Sequence, residues 1–325
     1  MSYSIIEDNL DGLKSYRTDS QQKLNWPSVF VLPDWMQVWW QVFGAGAEMR
    51  IRTVWEGDKA IGIAPLMVKD GAALLIGNTD VCDYLDFVVT PGREKEFFNL
   101  VLDDLKKSGI RRLDLKYVRP DSTVLTRLVP LAESRKYQVV STREDVSLEM
   151  NLPSSFNEYL TTLDTKQRHE VRRKLRRLSE EGTIEYRFIN KGAAVPATMD
   201  TFLKMFVESR QDKANFMTEK MESFFRLLAD TMAKTGLLRL GVLELDRQPL
   251  AEIMCFDYDG CIYLYNSGYD PKYTALSAGL LSKVLAIKDS IEKGKSRFDF
   301  LKGAETYKYH LGGREVPLFR CQITI

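Results

Sequence analysis

Histidine is almost absent from this chain, since His169 and His310 are the only two in 325 residues. Metal sites built from clustered histidines and nucleophilic triads of the Ser-His-Asp type both depend on imidazole groups. The sequence therefore excludes a histidine-cluster metal site and leaves few options for a histidine-based triad. Any chemistry has to come from carboxylates, tyrosines, lysines or backbone groups, and we expect no bound metal.

Cysteine is scarce too, and its four positions have no metal-ligand spacing. Three of them lie in strand-like apolar segments, which is typical of buried, reduced thiols rather than of disulfides. The four positions are Cys82, Cys255, Cys261 and Cys321.

The chain also lacks long apolar runs and an excess of one charge. It has no apolar run of about eighteen residues, the length that indicates a membrane-spanning helix. Residues 1–20 carry acids where a secretory signal has lysines, and they contain no apolar stretch of sufficient length. A formal net charge of +1 favours neither nucleic acid nor a membrane, so such a partner needs a local patch. We predict a cytoplasmic protein.

The composition, 44% apolar and 28% charged residues, is that of a folded chain long enough for two cores. A helix over 33–43 carries an aromatic stripe that is predicted to pack into a core. The patterns that follow predict a meander of strands over 49–75, a strand over 83–90, a helix over 93–107, a strand over 111–118, a helix over 122–134, and strands over 137–140 and 146–150.

The second half repeats this order of elements after an inserted helix over 164–182, at whose start Asp164 and Gln167 can form a capping box. It contains a strand over 183–189, helices from 196 and over 218–234, three strands within 237–267, a helix over 277–293, a strand over 297–301, a helix over 305–310 and a strand over 316–325. We predict an α/β fold with mixed sheets in two similar domains, 1–152 and 153–325, which divide at Pro153-Ser154-Ser155.

The helix that opens at Ser277 is the first candidate site. Ser277 is a possible N-cap, and Ala278, Gly279 and Leu280 form the first turn. Glycine costs about 1 kcal/mol inside a helix relative to alanine. Gly279 therefore indicates close approach, either by an anionic group such as a diphosphate at the free N–H groups or by a packed neighbour.

The two strands before that helix carry candidate acid–base groups. A tyrosine of the strand over 261–267, where Tyr263, Tyr265 and Ser267 are predicted to share a face, can protonate a leaving thiolate or serve only as structure. In the preceding strand, Glu252 lies among apolar residues on the face of Met254 and Phe256. Burial would make it a general base, whereas a position at a sheet edge or pairing with an arginine would make it structural.

The strand over 297–301 and the residues after it supply further charged groups. Asp299 alternates with two phenylalanines and is predicted to face away from them. Lys302 and Lys308 follow closely, and Lys308 can stabilise an oxyanion or hold a phosphate, unless the segment is simply a solvated polar helix.

The helix over 164–182 has a narrow apolar stripe and an otherwise basic surface from Lys166 to Arg177. It is either a phosphate-binding surface, for tRNA or another polyanion, or a solvated helix balanced by its own glutamates.

The order of elements and several motifs resemble a known family. These motifs are PDWMQVWWQVFG, KQRHEVRRKLRRLSEEG, YNSGYDPKYTALSAG and FDFLKGAETYKYHLGG. The second half resembles a GNAT acyltransferase domain. The whole chain is similar to tandem-GNAT proteins of the CelD-like, cellulose-biosynthesis acetyltransferase-like family, which are relatives of the FemABX aminoacyltransferases.

The resemblance implies where a co-substrate would bind. Acetyl-CoA or another acyl-CoA is expected between the strands over 263–267 and 298–301, with its diphosphate at 277–280. Tyr307-Lys308 matches the aromatic-lysine pair of Fem-type sites, and Tyr269 and Lys302 are expected to line the cofactor cleft. Ala278 stands where this family often has proline.

Together these features predict an N-acyltransferase. An amine of a small molecule or glycan precursor would attack the thioester, with Glu252 or Asp299 as base, Tyr265 or Tyr269 as acid and Lys308 at the oxyanion. The first domain would be catalytically silent. The alternatives are a FemABX-like transferase that uses aminoacyl-tRNA and a non-catalytic binding module of the same fold.

Overall fold

The structure is a computed structural model that describes residues 2–77 and 80–325. Its strands are β1 (Tyr3–Asp8), β2 (Glu48–Glu56), β3 (Lys59–Lys69), β4 (Ala72–Leu75), β5 (Val88–Val89), β6 (Arg112–Val118), β7 (Gln138–Asn151), β8 (Ile184–Ile189), β9 (Leu238–Leu245), β10 (Gln248–Tyr258), β11 (Cys261–Tyr269), β12 (Arg297–Lys302) and β13 (Arg314–Thr324). Its α-helices are α1 (Leu10–Thr18), α2 (Pro33–Phe43), α3 (Glu94–Lys107), α4 (Val129–Ser134), α5 (Phe156–Thr162), α6 (Thr165–Glu180), α7 (Ala194–Ser209), α8 (Gln211–Phe216), α9 (Glu219–Lys234), α10 (Ala278–Glu292) and α11 (Thr306–His310).

The chain divides into two compact units. The first is Met1–Val146 with Val316–Ile325, and the second is Ser147–Glu315. The predicted division lay after residue 152 and assigned the last strand to the second domain. That strand, β13, instead pairs antiparallel with β6 of the first unit. Residues 147–151 at the end of β7 pair with β12 of the second unit.

The first unit is a mixed sheet in the order β1-β2-β3-β4-β6-β13-β7. Helix α3 packs on it through buried aromatic side chains, among them Phe97 and Phe98. Gly62 of β3 makes this packing possible, because an added Cβ would lie 2.3 Å from the ring of Phe97. The core is thus a close helix-on-sheet contact, as the apolar stripe of the helix predicts.

The second unit has the sheet order β7-β12-β11-β10-β9-β8. Helix α7 rests directly on β11 at Gly268, where an added Cβ would lie 2.5 Å from the backbone nitrogen of Phe206. On the other face, Leu281 of α10 belongs to a buried cluster with Leu243 and Ala251. The unit therefore has helices on both faces of a mixed sheet, which confirms the predicted fold class.

Some local predictions were wrong. The first twenty residues, for which no element was predicted, form β1 and α1. The strand predicted over 83–90 is reduced to β5, and the two strands predicted within 137–150 are the single strand β7. The missed elements are short or lie at a sheet edge, where half-exposed polar residues hide the apolar pattern.

Candidate functional site

Strands β11 and β12 of the second unit separate from each other partway along their length. Their parallel pairing covers Cys261 with Arg297, Ile262 with Phe298 and Tyr263 with Asp299. Both strands then continue, to Tyr269 and Lys302 respectively, without pairing with each other. The facing backbone groups beyond Tyr263 and Asp299 line a notch between the two strands.

A bulge in β12 accompanies this separation. Leu301 adopts φ +64°, and the register of β12 with β7 shifts between Asp299 and Leu301. The left-handed region is unfavourable for a residue with a side chain, by roughly 1–2 kcal/mol. Asp299, which is fully buried, offsets this cost by accepting a hydrogen bond from the N–H of Leu301 at 2.8 Å. The contacts of Asp299 are thus those of a residue that shapes the strand end.

The first turn of α10 follows β11 and presents free backbone donors. A 3₁₀ turn over Pro271–Leu276 leads to Ser277, which lies in the left-handed region at φ 57° and makes no side-chain cap. The carbonyl of Ser277 accepts from the N–H groups of Leu280 and Leu281, both at 3.0 Å. Within the described residues, the N–H groups of Ala278 and Gly279 have no acceptor, as the start of a helix predicts.

Tyr269 forms one wall beside this turn. An added Cβ at Gly279 would lie 2.9 Å from Cδ1 of the Tyr269 ring, which explains the glycine as a close contact with a packed neighbour. The hydroxyl of Tyr269 donates to the carbonyl of Ser209 at 3.3 Å. Its proton is therefore engaged, and the side chain is held against the helix start.

Glu252 of β10 is a buried carboxylate on the face of the sheet that α7 covers. It pairs in register with Val242 and Gly268 and is only 2% exposed. Its Oε2 atom has no hydrogen-bond partner in the part of the chain that the structure describes. Burial, followed by the negative charge of Glu244, raises the pKa of Glu252 to about 8, and Arg187 opposes that rise.

Ser267 does not share the face of the β11 tyrosines as predicted, because the strand has a bulge. Asn266 pairs with Met254, whereas Leu264 pairs with Cys255, so Tyr265 is the additional residue. Ser267 pairs with Ile253 and does not share the face of Tyr265. The ring of Tyr265 lies 5.4 Å from that of Phe256 and just beyond the last pair of β11 with β12.

Lys308 is buried and holds the end of β12. Its Nζ donates to the carbonyls of Leu301, Lys302 and Gly303 at 3.0, 2.6 and 3.1 Å, and it lies 2.9 Å from Oε2 of Glu305. Three carbonyl acceptors match the three protons of an ammonium group. These contacts are those of a positioning residue, and the predicted action on an oxyanion stays a prediction.

Replacing Lys308 with methionine should destabilise the second unit by roughly 1–3 kcal/mol, because three buried carbonyls lose their donor. Urea unfolding monitored by circular dichroism measures the change. Lys272→Met is the matched control, since Lys272 is exposed and its side chain makes no hydrogen bond or ion pair in the described residues. A Lys308→Met protein of unchanged stability that has lost all transfer activity would instead indicate direct action on the reacting atoms.

Two further lysines were missed from the sequence. Lys283 of α10 is buried, and its Nζ donates to the carbonyl of Gly279 at 2.6 Å and lies 5.1 Å from the centre of the Tyr307 ring. Lys213 of α8 donates to the carbonyl of Ser267 at the edge of β11. Burial, followed by the positive charge of Lys213, lowers the pKa of Lys283 to about 7. Burial, followed by the positive charge of Arg210, lowers the pKa of Lys213 to about 8.

Lys213, Lys283 and Lys308 thus place amino groups against β11, α10 and β12 around the notch. No spacing in the sequence separates Lys283 from an ordinary surface lysine, because its burial depends on α8, α11 and the sheet. Lys302 contributes its carbonyl to Lys308, and Tyr307 is half-buried beneath Lys283. Lys283 thus links the predicted residues Gly279 and Tyr307, whereas Glu252 and Tyr265 lie on the face of the sheet on which α7 and α9 pack.

The basic helix α6 packs through Val171 and Leu178 and exposes most of its cations. Glu170 pairs with Arg173 at 2.9 Å, whereas Arg172 and Arg177 are exposed and make no ion pair in the described residues. Asp164 caps the helix by accepting from the N–H of Gln167 at 2.8 Å, as predicted.

Neither a metal cluster nor a membrane span occurs in the described ranges. Across residues 2–77 and 80–325 there is no group of three or more potential metal ligands. The helices of the same ranges are all too short or too polar to cross a bilayer. The four cysteines form no disulfide within the described residues and are buried, as predicted.

Comparison with known proteins agrees with this architecture. Residues 165–309, which include the notch, match a family described as Acetyltransferase (GNAT) domain. No curated protein sequence matches the chain.

Three solved structures share the fold over nearly the whole chain. FemX has a TM-score of 0.69 at 11% identity, covering 98% of this chain and 96% of its own. L-PGS from Bacillus licheniformis has a TM-score of 0.59 at 10% identity, covering 97% and 92%. A tandem GNAT protein from the clavulanic acid biosynthesis pathway has a TM-score of 0.50 at 11% identity, covering 98% of each chain. The chain thus has a GNAT-like, FemX-like fold.

Proposed function

We propose that this protein is an N-acyltransferase that moves an acyl group from an acyl-CoA to an amine. The observation that carries the proposal is the notch between β11 and β12 beside the free N–H groups of Ala278 and Gly279. Free amides at a helix start suit a diphosphate, and the match of residues 165–309 to an acetyltransferase domain supports this reading.

In this proposal the thioester lies along the open edge of β11, and an acceptor amine is held beside it. The nitrogen attacks the thioester carbonyl, a C–N bond forms and the C–S bond breaks. Glu252, directly or through a water, takes the amine proton, because its raised pKa of about 8 suits an amine near neutral pH. Holding both reactants supplies much of the rate.

We assign the return of a proton to the departing thiolate to Tyr265. It lies just past the last β11–β12 pair, whereas the Tyr269 hydroxyl already donates to Ser209. Asp299 and Lys308 would act by holding the end of β12 in its bulged form. Ser277, Leu280, Lys302 and Tyr307 would line the co-substrate.

The first unit would take no part in the chemistry. This keeps the predicted roles of the two domains, 1–152 as the catalytically silent domain and 153–325 as the catalytic one, except that the last strand belongs to the first unit. The acceptor would be an amine-bearing small molecule or a glycan precursor, as expected for a CelD-like relative of FemX-type enzymes. The reaction needs no metal.

The direct test is binding followed by turnover. Acetyl-CoA, octanoyl-CoA and free CoA should each raise the unfolding free energy, by about 2.7 kcal/mol at a hundredfold excess over the dissociation constant. Addition of a panel of amines to the acetyl-CoA complex should release a free thiol, which a thiol-reactive dye detects. A chain that no CoA species stabilises, and that releases no thiol, would refute the proposal.

A second candidate donor is an aminoacyl-tRNA, which the exposed Arg172 and Arg177 of α6 favour. Salt-sensitive binding of charged tRNA, together with aminoacyl transfer and no response to CoA, would select this alternative. Binding of CoA without transfer to any amine, unchanged by substitution of Glu252, would instead indicate a non-catalytic module.

A further inference from the structure

The first unit contains a cavity that the acyltransferase proposal does not use. Its volume is about 290 Å³, and it is lined by Trp39 and Phe43 of α2, Met67 of β3, Leu74 of β4 and Leu85. The rings of Trp39 and Phe43 lie 6.0 Å apart and form one wall. The aromatic stripe of α2 therefore borders an open space as well as a core.

The cavity lies where two strands of the first unit separate. Parallel pairing of β4 with β6 covers only Ala72 with Arg112 and Ala73 with Leu113. Leu74 and, on β6, Asp114, Lys116 and Tyr117 then line the space. Tyr117 adopts φ +50°, a left-handed conformation near the end of its strand like that of Leu301 in β12. The first unit thus repeats the notch of the second unit.

Helix α3 corresponds to α10 in the order of elements but does not begin beside this second notch. Its N-cap, Arg93, pairs with Glu56 near the start of β3, whereas the cavity lies near the end of that strand. The first turn of α3 carries two acids, Glu94 and Glu96, and the Glu94 carboxylate accepts from the N–H of Gly92 at 3.1 Å. The first turn of α10 carries no acid. The start of α3 therefore offers no site for the diphosphate of a nucleotide carrier such as CoA at this notch.

The polar side of the cavity nevertheless has an excess of positive charge. Its one carboxylate, Asp114, accepts two hydrogen bonds from Arg320, at 2.7 and 2.6 Å, and Arg320 in turn lies 3.9 Å from Glu144. Lys69 is exposed and Lys116 is half-buried, and neither makes an ion pair in the described chain, although the charge of Lys116, after the hydrogen bonds from Arg320, helps to lower the pKa of Asp114. Two lysines are thus available to an anion whose apolar part would fill the space behind them.

We propose that this cavity binds a monocarboxylate with an apolar tail, of about the size of octanoate. The cavity volume of about 290 Å³ is about ten times the ~30 Å³ that one water molecule occupies in the liquid, and octanoate has ten non-hydrogen atoms. The tail lies against Trp39, Phe43 and Leu74, and the carboxylate lies between Lys69 and Lys116. The site is separate from the proposed transfer reaction and does not depend on it.

Calorimetric titration of the full chain tests this. Octanoate is expected to bind, and octylamine, which has the same tail and the opposite charge, is not. The double variant Lys69→Met/Lys116→Met should bind octanoate roughly tenfold more weakly, because it loses two exposed ion pairs. Lys95→Met is the matched control, since Lys95 is an exposed lysine of α3 outside the cavity. This variant should bind octanoate with an affinity within about twofold of that of the unaltered protein.

Three further measurements test whether the apolar tail enters the cavity, whether the ligand is the free acid or its CoA ester, and whether the site is independent of the second unit. Ala45→Trp, which places a large side chain at the exposed rim of the cavity, should abolish binding. Octanoyl-CoA should not displace octanoate, and Gly279→Asp should leave octanoate binding unchanged. Absence of octanoate binding, equal binding of octylamine, an unaffected double variant or displacement by octanoyl-CoA would each overturn the proposal.

Discussion

Replacing Glu252 with glutamine is expected to slow acyl transfer by roughly 10²- to 10⁴-fold while the dissociation constant of acetyl-CoA stays the same. Glutamine has nearly the shape of glutamate and cannot take a proton from the amine. Burial at 2% exposure and an Oε2 atom with no partner in the described residues argue that this carboxylate is not part of a structural ion pair. Steady-state rates and calorimetric titration with acetyl-CoA measure the two quantities.

The pH profile identifies the group. A general base acts in its deprotonated form, so the rate should rise with pH through the Glu252 pKa of about 8. Glu244→Gln serves as control, because it removes a negative charge that raises this pKa and releases Arg187 from its ion pair at 2.8 Å. The rising limb should then move to lower pH. A rate of Glu252→Gln near that of the unaltered enzyme would exclude Glu252 as the base.

Whereas the transfer rate should rise with pH, the contribution of Glu252 to the free energy of unfolding should fall with pH. The folded-state pKa of Glu252, about 8, lies above the ordinary value of about 4.3 for an unfolded glutamate. The stabilisation by protonated Glu252 is complete below the unfolded-state pKa of about 4.3 and is lost as the pH rises through the folded-state pKa of about 8. Between these pH values the folded state holds a proton that the unfolded state releases. Glu252→Gln should therefore have the higher melting temperature above pH 8, and scanning calorimetry across pH checks this.

The sequence predicted most of the architecture because its signals are local. Apolar periods and glycine turns set the order of strands and helices in both halves, and they located the helix that begins after Ser277. The capping pair Asp164 and Gln167 was readable for the same reason. Where a structural element is determined by residues that are close in sequence, the residue pattern is sufficient to predict it.

The rest depends on contacts between distant segments. The bulge at Tyr265 arises from the pairing of β10 with β11, and it changed the faces that a plain period of two predicted. The pairing of β13 with β6 moved the division between units. Lys283 has a lowered pKa because the folded chain desolvates it, which no local pattern reports.

Gly279 gives the sharpest test of where the diphosphate binds. Gly279→Asp should weaken acetyl-CoA binding by about 2–4 kcal/mol, roughly 30- to 1,000-fold, because the carboxylate lies among the free N–H groups and repels the diphosphate. Gly279→Asn has the same shape without the charge. Both variants place a Cβ 2.9 Å from the Tyr269 ring, so both need the same shift of that ring.

Comparing the two variants separates charge from packing. An acid in the first turn stabilises a helix by about 0.3–1 kcal/mol, so Gly279→Asp should unfold at a temperature no lower than Gly279→Asn. A protein of equal or greater stability that fails to bind acetyl-CoA has lost its anion site and not its fold. Equal affinity of the two variants for acetyl-CoA would mean that the diphosphate lies elsewhere, and the notch between β11 and β12 would then have to be assigned to another ligand.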